Sequence, residues 1–145
     1  MNKRPTVMRA LAKTRRAWNN HVKDIALAEG IPDSYRQVIM FLFHHPGSGQ
    51  RSMAEFIGVT TSAVNQVVKS MKEEAYLRKE TDPSDKRGCR LYLTEKGESV
   101  AVRLHEKLNA SDDAITALIG AEKEKELIDI LDQLTEYIRK ELGQC

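Results

Sequence analysis

Leu127, Leu131, Leu134, Ile138 and Leu142 recur at spacings of four, three, four and four. That is the period of one face of an α-helix running over about 122–142. Before them, Val100, Leu104, Leu108, Ile115 and Leu118 line a second stripe, on a helix that Thr94 caps and Gly120 ends. At the other end of the chain, about 6–28, Met8, Leu11, Trp18, Val22 and Ile25 stand at helical spacing, and Gly30-Ile31-Pro32 closes that helix. These three long helices flank a middle region too small to cover all their apolar faces. A second copy of the chain is the simplest cover.

The middle region divides into short elements. Asp33 or Ser34 caps a helix containing Val38, Ile39, Met40, Phe41, Leu42 and Phe43, apolar nearly all round and therefore central. His44-His45-Pro46-Gly47 ends it. Ser52 with Glu55 three residues later is a capping-box pattern that starts a short helix, and Gly58 supplies a tight turn. Thr60 then caps another helix, in which Val64, Val67, Val68 and Met71 share the inner face. Ser62, Gln66 and Lys69 fall on the opposite face with Asn65 at its flank. A merely solvated face favours Glu and Lys. Small hydroxyl and amide side chains near a helix N-terminus suit phosphates and base edges.

The stretch DPSDKRGCRLYLTEKG, residues 82–97, follows. Pro83 and Gly88 mark a turn, and Leu91 and Leu93 alternate as in a half-buried strand. With Tyr76–Thr81 as partner, this makes a hairpin whose tip carries Lys86 and Arg87, with Arg90 close behind. Charge supports a polyanionic partner. Residues 1–96 hold 17 Lys/Arg against 10 Asp/Glu, a net of +7, and residues 97–145 hold 6 against 11, a net of −5. A basic portion joined to an acidic one fits a nucleic-acid binder with a separate structural part.

Several classes are excluded. No apolar run reaches the roughly 18 residues of a membrane span, and the basic N-terminus lacks the apolar core of a secretory signal. Cys89 and Cys145 lie too far apart for a disulfide framework, which points to a reducing compartment, the cytoplasm. No phosphate-cradling Gly-rich loop or nucleophile–base arrangement appears, so no enzyme and no cofactor are expected. The histidines His21, His44, His45 and His105 lack metal-ligand spacing: His44 and His45 are adjacent, and His105 has Asn109 four residues on.

Helix–turn–helix followed by a basic two-stranded hairpin is a winged helix–turn–helix. Ala54, Gly58, Val64 and Val67 stand at the spacing of such units. Asp85-Lys86-Arg87-Gly88 and Leu93-Thr94-Glu95-Lys96-Gly97 closely resemble the D-K-R…L-T-x-K-G signature of the MarR family of bacterial transcription regulators. One departure is Ala75, where the family usually has Gly; it reads as a less strained turn.

The resemblance implies a mainly α fold with a β-hairpin wing. It implies a DNA-binding domain over 33–96 and a helical dimerisation region over 5–30 and 97–145. It also implies a homodimer on palindromic double-stranded DNA, acting as a repressor released by a small aromatic or anionic effector. Thr61, Ser62, Asn65, Gln66 and Lys69 match the recognition helix, and Lys86, Arg87 and Arg90 the wing. Asp85 matches the residue that orients Arg87. Arg15, Arg16, Trp18 and His21 are the candidates for an effector crevice. Two other readings remain open: a metal- or redox-responsive regulator of the same fold, with Cys89 beside the wing, or a helical dimer acting through protein contacts alone.

Overall fold

The computed structural model describes residues 4–82 and 84–143, without the side chains of residues 82 and 85–87. The elements are α1 (Val7–Ala28), α2 (Asp33–His44), α3 (Gln50–Ile57), α4 (Thr61–Glu73), β1 (Leu77–Asp82), β2 (Asp85–Leu93), α5 (Glu95–Ile119) and α6 (Ala121–Tyr137). A π-helical turn, Ile138–Leu142, closes α6. The chain is thus mainly helical with one antiparallel hairpin, as the sequence predicts. None of the described helices is long and apolar enough to cross a membrane.

Two compact units divide the chain, residues 1–107 and 108–145. In the first, α2 is central: Tyr35, Val38, Ile39, Phe41 and Leu42 are buried, and α1, α3, α4 and β2 all pack on it. The nearly all-apolar run demanded that position. The rest of this core comes from Val22 and Ile25 of α1, Met53 of α3, Val64, Val68 and Met71 of α4, Leu77, Leu91 and Leu93 of the hairpin, and Val100 and Leu104 of α5.

In the hairpin, Leu77 pairs with Leu93, Lys79 with Leu91 and Thr81 with Cys89, and the register shifts beyond Thr81. Its outer edge is also engaged. The Gly47 N–H donates to the Leu91 carbonyl (2.9 Å) and the Leu91 N–H to the Ser48 carbonyl (3.0 Å), a one-residue bridge from the α2–α3 loop. Across the unit, Glu29 accepts hydrogen bonds from Arg103 (2.8 Å) and Lys107 (2.9 Å) of α5. These two cations hold its carboxyl below the usual glutamate range. Tyr35 meets the end of α4: burial pushes its phenol pKa up, and the hydrogen bond it makes to Glu74 adds to the rise.

Three local expectations are corrected. The short helix begins at Gln50 behind Gly49, with no side-chain cap, so Ser52 and Glu55 form no capping box. Ser52 already lies in the helix, and Glu55 faces Arg51 (3.6 Å). Pro32, and neither Asp33 nor Ser34, stands at the N-cap of α2; the Asp33 carboxylate instead reaches forward to Arg36 and Gln37. Ala75 does not relax its turn, because it stands in the left-handed region at φ +64°. The Thr60 cap and the Gly58 turn are as expected: Thr60 Oγ1 accepts from the Ala63 N–H (3.1 Å), and Gly58 has φ +82°.

The second unit is the end of α5 with α6. Gly120 turns the chain at φ +91°, and Thr116 Oγ1 clips the two helices by donating to Glu124 (2.8 Å). Nothing in α6 is buried, and Leu118 stands 86% exposed. Leu131 and Leu134 are only half-buried.

Candidate nucleic-acid interface

α3, the Gly58 turn and α4 build a helix–turn–helix. The Gly58 and Val59 N–H groups both donate to the Ala54 carbonyl (2.9 and 3.1 Å), which folds α4 back across α3. Val64, Val68 and Met71 point inward and fix the rotation of α4 about its axis. That rotation leaves Thr61, Ser62, Asn65, Gln66 and Lys69 all exposed, on a face with no acidic residue before Glu73. The N-terminal end of α4 presents unpaired N–H groups and the positive end of its dipole, a setting that favours phosphate oxygens.

The same unit brings the N-terminus of α4 beside the middle of the hairpin. Gln50, Arg51, Thr61, Lys79 and Cys89 line a hollow of about 340 Å³. Arg51 and Lys79 therefore join Thr61 on one surface. Sequence spacing missed both, since they belong to different elements and only the fold unites them. Nearer the root of the hairpin, Arg78 pairs with Glu80 and its guanidinium lies 4.7 Å over the Tyr92 ring. Arg90 is exposed, opposite Glu80 in the ladder. The backbone of Asp85, Lys86 and Arg87 begins β2; their side chains, and the expected Asp85–Arg87 pair, lie outside the described residues.

A second feature lies between α1, α2 and α3, a cavity of about 310 Å³. Arg15, Arg36, Gln37, Met40, Phe41, His44, His45, Phe56 and Ile57 line it. Its floor is aromatic: Phe41 and Phe56 stand 5.0 Å apart and His45 packs on both. Of the four effector candidates only Arg15 reaches this lining. Arg16 is exposed elsewhere on α1, and Trp18 and His21 pack on each other at 5.7 Å. Aromatic and cationic residues at unrelated positions in the chain make this cavity, so no motif could announce it. His44 turns away from His45 toward Phe43 and His105, whose ring is 5.6 Å distant. Among the described residues no group of three His, Cys, Asp or Glu is placed to hold a metal ion.

The L-T-x-K-G motif has a structural reason. Thr94 Oγ1 accepts from the Gly97 N–H (3.2 Å) and donates to the Ala75 carbonyl (2.5 Å). Lys96 Nζ donates to the Glu74 carbonyl (2.8 Å) and sits 4.2 Å over the Tyr76 ring. A side chain at Gly97 would place its Cβ 2.2 Å from the Tyr76 carbonyl oxygen. The motif is a clasp that joins the end of α4, the root of the hairpin and the start of α5.

Known proteins share this arrangement. A family model described as the MarR family matches residues 29–88. The HTH-type transcriptional regulator BilQ of Clostridium symbiosum is 24% identical over 106 residues, 73% of this chain and 74% of that protein. The crystal structure of the MarR family transcription regulator SP03579 superposes with a TM-score of 0.85 at 16% identity, covering 96% of this chain and 94% of that one. The regulator PcaV of Streptomyces coelicolor, solved in complex with its natural ligand, superposes with a TM-score of 0.73 at 23% identity, covering 94% and 98%.

Proposed function

We propose that this chain, which belongs to the MarR family of transcription regulators, binds a palindromic operator in double-stranded DNA as a homodimer. In this reading it represses transcription in the cytoplasm until a small effector releases it. Residues 33–96 read the DNA, and residues 5–30 and 97–145 dimerise. The observation that carries the reading is the outward face of α4, exposed, free of acids, and rich in hydroxyl and amide groups at a capped N-terminus. Such a face is dimensioned for the major groove. Arg51 and Lys79 add phosphate contacts beside it, and the wing residues Lys86, Arg87 and Arg90 reach the neighbouring groove. The cavity beside α2 takes the effector, with Arg15 binding its anionic group and Phe41 and Phe56 its ring; PcaV, a relative in fold, is itself a ligand-binding regulator.

Footprinting on DNA flanking the protein's own gene supplies the operator. Gln66 and Asn65 can each pair bidentately with adenine, giving about 1–3 kcal/mol of discrimination per pair. Gln66→Ala is therefore expected to weaken operator binding by that amount and leave random DNA nearly unaffected. An equal loss on both would remove the sequence-reading role of α4.

A further inference from the structure

The lining of the effector cavity holds two arginines, Arg15 and Arg36, beside His44 and His45, and no carboxylate. The two guanidinium groups are not equivalent. Arg36 Nε donates to Asp33 Oδ1 at 2.5 Å, and the pair is mostly covered, with 16% and 20% of the side chains exposed. The other oxygen, Oδ2, accepts from Gln37 Nε2 at 3.2 Å, so Asp33 is held by two residues of the cavity wall while lying behind it. Arg15 has no ion-pair or hydrogen-bond partner among the described residues. One cation of the wall is thus already neutralised from within the protein, and one is not.

We propose that Asp33 is a specificity-determining residue that restricts the cavity to ligands with a single negative charge. This rests on the effector role assigned to the cavity above. A monoanionic aromatic acid pairs with Arg15 and lays its ring on Phe41 and Phe56. A dianion needs the second guanidinium as well, and must compete with a covalently tethered carboxylate that is already in hydrogen-bonding geometry. Asp33 also lies in the first turn of α2, where the helix dipole favours a negative charge, so it is not easily displaced.

Benzoate and phthalate, with one and two carboxylates on the same ring, are the probes. An apolar cavity of about 150 Å³ accepts benzene, so both fit a space of about 310 Å³. Calorimetric titration of the full chain is expected to show benzoate binding more tightly than phthalate. In Asp33→Asn, which keeps the shape and removes the charge, phthalate should gain about tenfold relative to benzoate, the scale of one partly buried charge interaction. Adding Arg36→Gln to that variant should abolish the gain. If Asp33→Asn melts too early to titrate, Arg36→Gln alone carries the test: phthalate should lose more affinity than benzoate, because Asp33 is then uncompensated. Binding of both probes with an unchanged ratio overturns the charge-selection role and leaves the effector role standing. No binding of either probe to any of these proteins overturns both.

Discussion

At residue scale, Ala75 decides the most. It follows the C-cap of α4: its N–H donates to the Lys72 carbonyl (3.1 Å) and the Tyr76 N–H to the Met71 carbonyl (2.8 Å). That is the double hydrogen bond of a Schellman ending, which requires a left-handed residue and is usually made with Gly. A Cβ in this region costs roughly 1–2 kcal/mol. Glycine gives part of this back through its greater freedom in the unfolded chain, about 0.4–1 kcal/mol. Ala75→Gly is therefore expected to stabilise the protein by about 0.5–1 kcal/mol, with a thermal midpoint a few degrees higher and operator affinity unchanged. A lower midpoint would show that the methyl group packs better than the backbone suffers. Set against the Gly usual in the family it resembles, Ala75 read as a relaxed turn. The strain is invisible in sequence because Thr94, nineteen residues away, helps to hold that turn by donating to the Ala75 carbonyl.

At element scale, the outward face of α4 was legible and the cavity was not, for the same physical reason. Apolar periodicity reports a face within one helix, so Val64, Val68 and Met71 fixed which side of α4 turns outward. Cavity walls are assembled across helices, and nothing in the spacing of Arg15, Arg36 and Phe56 announces that they meet. Helix starts misled where a polar residue had a better partner: Asp33 is drawn to Arg36 rather than to the N-terminal N–H groups of α2. The hairpin carries its own prediction. Arg87→Ala removes one phosphate or minor-groove contact per protomer, two per dimer. The slope of log affinity against log salt should then flatten by about 0.9 per contact, roughly two in all. The thermal midpoint should hold, since Arg87 stands in β2, three residues past the turn, and a surface ion pair there would be worth only about 0–1 kcal/mol. Parent affinity with the parent slope would reduce the wing to a solvated turn.

At the scale of the whole molecule, each of the two units leaves apolar side chains of the terminal stripes exposed. Met8 on α1, Leu118 on α5, and Leu127 and Leu142 toward the C-terminus are exposed, although each belongs to a stripe with the spacing of a buried face. A dimer that buries them should persist at micromolar concentration, with light scattering reading twice the 16.4 kDa chain mass. Leu131→Glu with Leu134→Glu should shift it to monomer, and monomer in the parent protein would overturn the assembly. The hairpin, by contrast, has part of its outer edge closed by the Ser48–Leu91 bridge. An open strand edge is a template for another chain, and in a DNA-free dimer the wing would be the obvious place for such templating to begin. With the Leu91 amide and carbonyl both occupied, strand addition cannot run the length of β2, so the wing can stay extended and basic in solution without seeding aggregation.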